Sequence, residues 1–143
     1  MATAGETVVN PSTGERVTFV RTAADTGGEV LELDLLWPRP GERAPAHVHP
    51  EMEERYEVIS GTAAFRIGGH ERTASPGEVV TVPPGTTHEA WNPTGEPVHL
   101  KVEFRPALRW EDFVVRLFAG DPVPGLMREF AREIAPPPRN LGR

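Results

Sequence analysis

The chain has 143 residues, of which 38% are hydrophobic and 25% charged, and its net charge is −6. This composition is typical of one globular domain and excludes a disordered chain. Without a cluster of basic residues, nucleic acid is not an expected partner, and the absence of cysteine excludes disulfides and thiolate metal sites.

No stretch of the sequence approaches the roughly 18 apolar residues that a membrane helix requires. Residues 1–10 also lack the positive start and the apolar core of a signal peptide. We therefore expect no membrane partner and a cytoplasmic location.

Short strands separated by turns are predicted for most of the chain. Apolar and polar residues alternate in the manner of half-buried strands, and the predicted strands are 17–20, 30–37, 54–59, 63–67, 79–82 and 98–104. Turn sequences such as Gly68-Gly69 and Pro83-Pro84-Gly85 separate them. The pattern indicates an all-β body over about residues 17–105.

After Pro106 the pattern becomes helical. Apolar residues recur at spacings of three to four, first at Trp110, Phe113, Val114, Leu117 and Phe118, then at Leu126, Phe130 and Ile134. Gly120-Asp121-Pro122 separates the two predicted helices. We interpret residues 1–143 as a single domain with a C-terminal helical appendage at about 107–135.

Three histidines and one glutamate form the clearest chemical pattern. His47 and His49 are two positions apart in an extended segment, so both rings face the same side. Glu54 begins the next predicted strand, and His88 follows a Pro-Pro-Gly turn. Imidazole nitrogens with a carboxylate oxygen suit one divalent transition metal ion: Fe, Mn, Ni, Co, Cu or Zn.

These residues resemble the two sequence motifs of the cupin superfamily. The first motif is matched by Gly41, His47-x-His49, Glu54 and Gly61. The second is matched by Gly77, Pro83-x-Gly85, His88 and Asn92. The resemblance, which is to small single-domain bacterial cupins, implies a cupin-type jelly-roll β-barrel. It also implies a metal ion on His47, His49, Glu54 and His88, and favours a homodimer.

Strand register supports Glu54 rather than Glu53 as the carboxylate ligand. If Glu54 points inward, Tyr56 follows it, while Arg55 and Glu57 face solvent. The opposite register would bury two unpaired charges at a cost of several kcal/mol.

Other polar residues are given simpler roles. His70 falls in a turn and His99 on the polar face of a strand, so neither is predicted to bind the metal. Asn92 is interpreted as a support for a turn. Tyr56 has two open interpretations: a catalytic group that orients substrate or water, or a core tyrosine with a satisfied hydroxyl group.

A metal ion with four protein ligands and octahedral geometry keeps two positions open for a small-molecule substrate. Our leading hypothesis is a metal-dependent dioxygenase-like enzyme, resembling quercetinases, in which Glu54 also serves as a base. One alternative is a metal-dependent isomerase, epimerase or lyase acting on a sugar or oxoacid. The other is a non-catalytic cupin that binds a small molecule.

Overall fold

The computed structural model describes residues 2–40 and 44–138, so Gly41 of the first motif lies outside the described residues. The elements of this part of the chain, in order, are β1 (Thr7–Val9), β2 (Arg16–Arg21), α1 (Ala23–Thr26), β3 (Leu31–Trp37), β4 (Glu53–Ser60), β5 (Ala63–Ile67), β6 (His70–Ala74), β7 (Val79–Val82), β8 (His88–Trp91), β9 (Val98–Arg105), α2 (Trp110–Phe118) and α3 (Val123–Glu129).

The strands form two antiparallel sheets. One has six strands in the order β1-β2-β3-β9-β4-β7, and the other has three in the order β6-β5-β8. Ring contact between Tyr56 of β4 and Phe65 of β5, at 4.9 Å between centroids, joins the inner faces of the two sheets. The predicted all-β jelly-roll architecture is therefore confirmed.

Three strands and one helix were not predicted. β1 and β6 are edge strands with mostly exposed side chains, and β8 has a single fully buried residue, so none shows the alternation of a half-buried strand. The unpredicted helix is α1, a single turn between β2 and β3. Thr22 and Asp25 form its capping box, and Gly27, with a φ of 64°, ends it.

The core lies on the inner face of the six-stranded sheet. Val102 of β9 is opposite Leu33 of β3 and Tyr56 of β4, and all three are at most 5% exposed. Phe19 and Phe65 are fully buried beside them. Burial of each large apolar side chain contributes about 1.5–3 kcal/mol to folding.

The register of β4 agrees with the prediction. Glu54 and Tyr56 are each 5% exposed and point inward. Arg55 lies on the outer face, where its Nη1 atom is 3.3 Å from Oε1 of Glu103. The carboxylate of Glu54 is thereby directed into the barrel.

Gly61 ends β4 at a position that only glycine fits. Its φ is +81°, and a Cβ atom there would lie 2.5 Å from the carbonyl oxygen of Pro97. Both the left-handed conformation and the close backbone approach require the absence of a side chain.

The helical appendage packs against the barrel. α2 carries the predicted apolar residues, and its Trp110 contacts Phe104 of β9 at 5.3 Å between ring centroids. α3 is shorter than predicted: it ends at Glu129, so Phe130 and Ile134, expected on this helix, follow it, although both are buried. None of the helices among the described residues is long and apolar enough to cross a membrane.

Candidate metal centre

The structure brings the four predicted metal ligands together. The ring centroids of His47, His49 and His88 are 4.5–5.0 Å apart. Oε1 of Glu54 lies 3.2 Å from Nε2 of His49 and 3.1 Å from Nε2 of His88. The three imidazoles thus cluster inside the barrel, and the carboxylate of Glu54 lies against two of them.

Backbone pairing sets the direction of the two neighbouring histidines. His47 exchanges two backbone hydrogen bonds with His88, at 3.2 and 3.0 Å, so these rings are held side by side. Val48 exchanges two with Ala135, at 2.9 and 3.0 Å. Because residues of an extended segment alternate in direction, this pairing leaves His47 and His49 facing the same side, as predicted.

Each histidine ring is oriented by a backbone carbonyl. A carbonyl can only accept a hydrogen bond, so Nδ1 carries the hydrogen and Nε2 is left as the inward-facing nitrogen. The carbonyls belong to Pro45 for His47 (2.9 Å), Glu133 for His49 (2.8 Å) and Thr86 for His88 (3.0 Å). This arrangement is typical of histidines that bind a metal through Nε2.

The donor set fits a divalent transition metal ion. Two neighbouring octahedral ligands, each about 2.1 Å from the ion, are separated by about 3 Å. The distances of 3.1 and 3.2 Å from Glu54 to two histidine nitrogens match that separation. At such distances, a nitrogen lone pair and a carboxylate repel each other unless a proton or a cation lies between them.

The charges of the site favour an anionic carboxylate. Burial alone would raise the pKa of Glu54, but hydrogen bonds with His49 and His88 outweigh it and hold that pKa well below its usual range. Burial lowers the pKa of His47 to about 4, with further lowering by the other two histidines. For His88, burial is outweighed by the bond to Glu54, and the pKa is raised.

Tyr56 lies deeper in the same interior. Burial is the main reason that its pKa is raised well above the usual value, and the charge of Glu54 and a hydrogen bond to it raise the pKa further. The hydroxyl group therefore stays protonated and donates to Glu54. This contact satisfies the hydroxyl of a core tyrosine, and the catalytic role of Tyr56 stays a prediction.

Glu15 is a candidate residue that the sequence reasoning missed. Its Oε2 atom accepts a hydrogen bond of 2.8 Å from Nε1 of Trp37. Burial raises the pKa of Glu15 and the charge of Glu54 adds to this effect, against the opposing bond from Trp37. Extending the alternation of Val17 and Phe19 by two residues would have pointed to Glu15 as an inward-facing carboxylate.

The ligands differ in their access to solvent. His49 and His88 are 2% exposed, and Trp110 covers His49 with its ring at 4.7 Å between centroids. His47 is half-buried and is the most exposed of the four. An apolar, largely water-free surrounding strengthens electrostatic interactions at such a site.

The residues given simpler roles lie outside the candidate metal centre, although His70 begins β6 instead of lying in the turn before it. Nε2 of His99 is paired with Asp34 at 2.9 Å, and His70 is exposed. Asn92 is fully buried; its amide donates to the carbonyl of Glu96 at 2.7 Å, and its side-chain oxygen accepts from the backbone of Thr94 at 2.9 Å. It therefore supports a turn.

The fold and the residue set define a small jelly-roll domain with a candidate metal centre, and comparison with known proteins agrees. Residues 38–104 match the Cupin_2 family, described as "Cupin domain". In structure, the chain is similar to a protein with a double-stranded β-helix domain from Klebsiella pneumoniae subsp. pneumoniae. The TM-score is 0.58 and the identity 26%, over 71% of this chain and 85% of that one. Residues 38–104 of the chain are thus a cupin domain.

Curated relatives match over part of this chain and a small part of their own length. The chain is 32% identical to mannose-1-phosphate guanylyltransferase ManC of Salmonella typhimurium (strain LT2) over 90 residues, which are 62% of this chain and 18% of that protein. It is 28% identical to quercetin 2,3-dioxygenase of Bacillus subtilis (strain 168) over 75 residues, or 52% of this chain and 22% of that protein. The chain thus spans about a fifth of the length of these relatives.

Proposed function

We propose that this domain binds one divalent transition metal ion through His47, His49, Glu54 and His88 and acts as a dioxygenase-like enzyme on a small organic substrate. The clustering of the three histidines, two of which hold their Nε2 atoms against the carboxylate of Glu54, carries the proposal. Similarity to a quercetin dioxygenase supports the reaction class. When bound, the ion would supply a Lewis acid and open coordination positions for oxygen-containing ligands.

The residues of the chain supply orientation and charge. The carboxylate of Glu54, anionic at neutral pH, balances part of the charge of a cation. Tyr56 donates to that carboxylate and holds its position. The rings of Phe104 and Trp110 beside His49 exclude water from this side of the site.

Oxygen uptake tests the reaction class. Protein reconstituted with Fe(II), Mn(II) or Ni(II) is placed in an oxygen electrode with a flavonol, an enediol or a β-diketone. We expect oxygen consumption with at least one pair of metal and substrate, and its loss in His88→Ala under the same conditions. Bound metal without oxygen uptake in any combination would show that the dioxygenase assignment is wrong.

A metal-dependent isomerase, epimerase or lyase is the second candidate, and Glu15 favours it. A second carboxylate, half-buried and close enough to feel the charge of Glu54, has a raised pKa and is suited to moving a proton on a sugar or oxoacid. This reaction should proceed without oxygen on Zn²⁺-loaded protein and should place solvent deuterium in the product. Glu15→Gln should abolish that exchange while retaining the metal.

A non-catalytic role follows if metal is bound and both assays are negative. In that case, direct binding of the same compounds, measured by calorimetry, would distinguish a small-molecule-binding domain from an inactive enzyme preparation. His88→Ala is again the matched control, because it removes one proposed ligand and leaves the apolar walls intact.

A further inference from the structure

The three histidine rings are not held in the same way. The carbonyls that orient His47 and His88 belong to residues two positions earlier in the chain. The carbonyl that orients His49 belongs to Glu133, 84 residues away. The direction of one proposed ligand thus depends on a distant segment, residues 130–135, which we name the C-terminal strap.

The strap is attached to the ligand-bearing segment on both sides of Glu133. Ala135 forms the paired backbone hydrogen bonds with Val48. Arg132 makes a two-pronged contact with Glu51, at 2.9–3.2 Å. These attachments place the strap alongside His49.

The side chain of Glu133 adds a third attachment. It is 1% exposed, and its Oε2 atom accepts a hydrogen bond of 3.0 Å from the backbone of Arg109 and lies 3.6 Å from the Nε atom of that residue. Oε1 has no hydrogen-bond partner among the described residues. A buried carboxylate with an unsatisfied oxygen is costly for folding, which indicates a use beyond stability.

We propose that Glu133 is a positioning residue of the metal centre. Its carboxylate fixes the strap on the loop before α2, so that its own carbonyl holds the His49 ring with Nε2 towards Glu54. This inference rests on the proposed metal-binding function. It follows that metal affinity and docking of the strap are coupled, and each strengthens the other.

Titration with Co²⁺, followed by its absorption bands, tests this role. Loss of an outer partner of a metal ligand weakens metal binding by about 10- to 100-fold, so Glu133→Ala should raise the Kd for Co²⁺ about tenfold. Glu133→Gln keeps an acceptor for the backbone of Arg109 and should restore most of the affinity.

A surface variant covers the case in which Glu133→Ala does not fold. Arg132→Ala breaks only the exposed contact with Glu51 and should raise the Kd by about two- to fivefold. Its matched control is Arg66→Ala, which breaks an exposed ion pair of 2.8 Å with Glu71 on the β5–β6 hairpin. The Kd of that control should equal the wild-type value.

Hydrogen exchange gives a second readout. In wild type, Co²⁺ should slow exchange of the amides of Val48 and Ala135, and this slowing should be reduced in Arg132→Ala. A Kd that is unchanged in folded Glu133→Ala and in Arg132→Ala, even with lower melting temperatures, would overturn the positioning role. Failure of wild type to bind Co²⁺ would overturn the metal centre itself, and the role of Glu133 with it.

Discussion

Glu54 and His49 point to the same place but are held by different parts of the molecule. Glu54 lies in β4, which is hydrogen-bonded on both sides, opposite Phe104 of β9 and Val82 of β7. The His49 segment has backbone partners on both sides but no continuous ladder among the described residues. Residues 47 and 48 form only isolated bridges, one to His88 and one to Ala135.

This difference shows which proposed ligands are held rigidly and which can be displaced at low cost. The carboxylate is positioned by the same ladder of hydrogen bonds that builds the barrel, so displacing it requires opening the sheet. The neighbouring histidines depend on a few long-range contacts, which open at lower free energy than the core of a sheet. We therefore expect a substitution or a chelator to displace His47 and His49 more easily than Glu54.

Removing His47 and His49 together should have the largest effect on metal binding. In His47→Ala/His49→Ala, metal content should fall from about one equivalent to nearly none, because two of four ligands are lost. Elemental mass spectrometry on untagged protein measures this. The control His70→Ala/His99→Ala removes two histidines outside the site and should keep the metal; metal retained in the first variant would contradict the assignment.

Chelation should separate the contribution of the metal to the stability of the folded protein from that of the barrel. A metal present at 100 times its Kd stabilises the folded protein by about 2.7 kcal/mol, so a chelator should lower the melting temperature of wild type by about 5–10 °C. His88→Ala should show no such shift in calorimetry. Equal shifts in both proteins would mean that His88 does not bind the metal.

Tyr56→Phe tests the part of the site that β4 holds, namely Tyr56 and Glu54. The substitution keeps the ring contact with Phe65 and removes the donor to Glu54. We expect about a tenfold loss of turnover and a free energy of unfolding within about 1.5 kcal/mol of wild type, with metal content unchanged. Unchanged turnover would leave Tyr56 as a core residue.

Glu15→Gln should have the smallest effect on stability, and the size of that effect depends on pH. The pKa of Glu15 is raised in the folded protein, so at pH values above about 4.5 the unfolded chain releases this proton more readily and folding is disfavoured. The variant keeps an acceptor for Trp37. It should be more stable than wild type at pH 7 by up to about 1 kcal/mol, and this advantage should shrink as the pH falls towards 4.5 and be nearly absent below it.

Urea unfolding at pH 7 and pH 4 measures the effect. A variant that is less stable at pH 7 would show that the bond from Trp37 to a charged carboxylate outweighs the cost of burial.

The candidate ligands could be predicted because their positions depend on local spacing. His47 and His49 share a side through strand alternation, and the charges flanking Glu54 determine its register. The structure places these residues together with His88, while metal binding by them stays a prediction. Glu133 could not be found in this way, because its contribution is a backbone carbonyl brought 84 residues along the chain to His49.

The strands that were missed have a different cause. β1 and β6 are held by hydrogen bonds to one neighbour each, and most of their side chains face solvent. Hydrophobic periodicity detects burial, so a strand that buries little leaves no pattern to detect. By contrast, α2 could be predicted closely, because it buries one continuous face that includes Trp110 and Phe113.

The long-range hydrogen bond of His49 also has a consequence for the order of folding. All nine described strands precede the strap in the sequence, and closing a loop of 84 residues costs more entropy than pairing neighbouring strands. Synthesis from the N-terminus makes the barrel strands available before residues 130–135. The His49 ring is therefore fully oriented late in folding. A metal ion bound in the final geometry indicates that the chain has folded as far as Ala135.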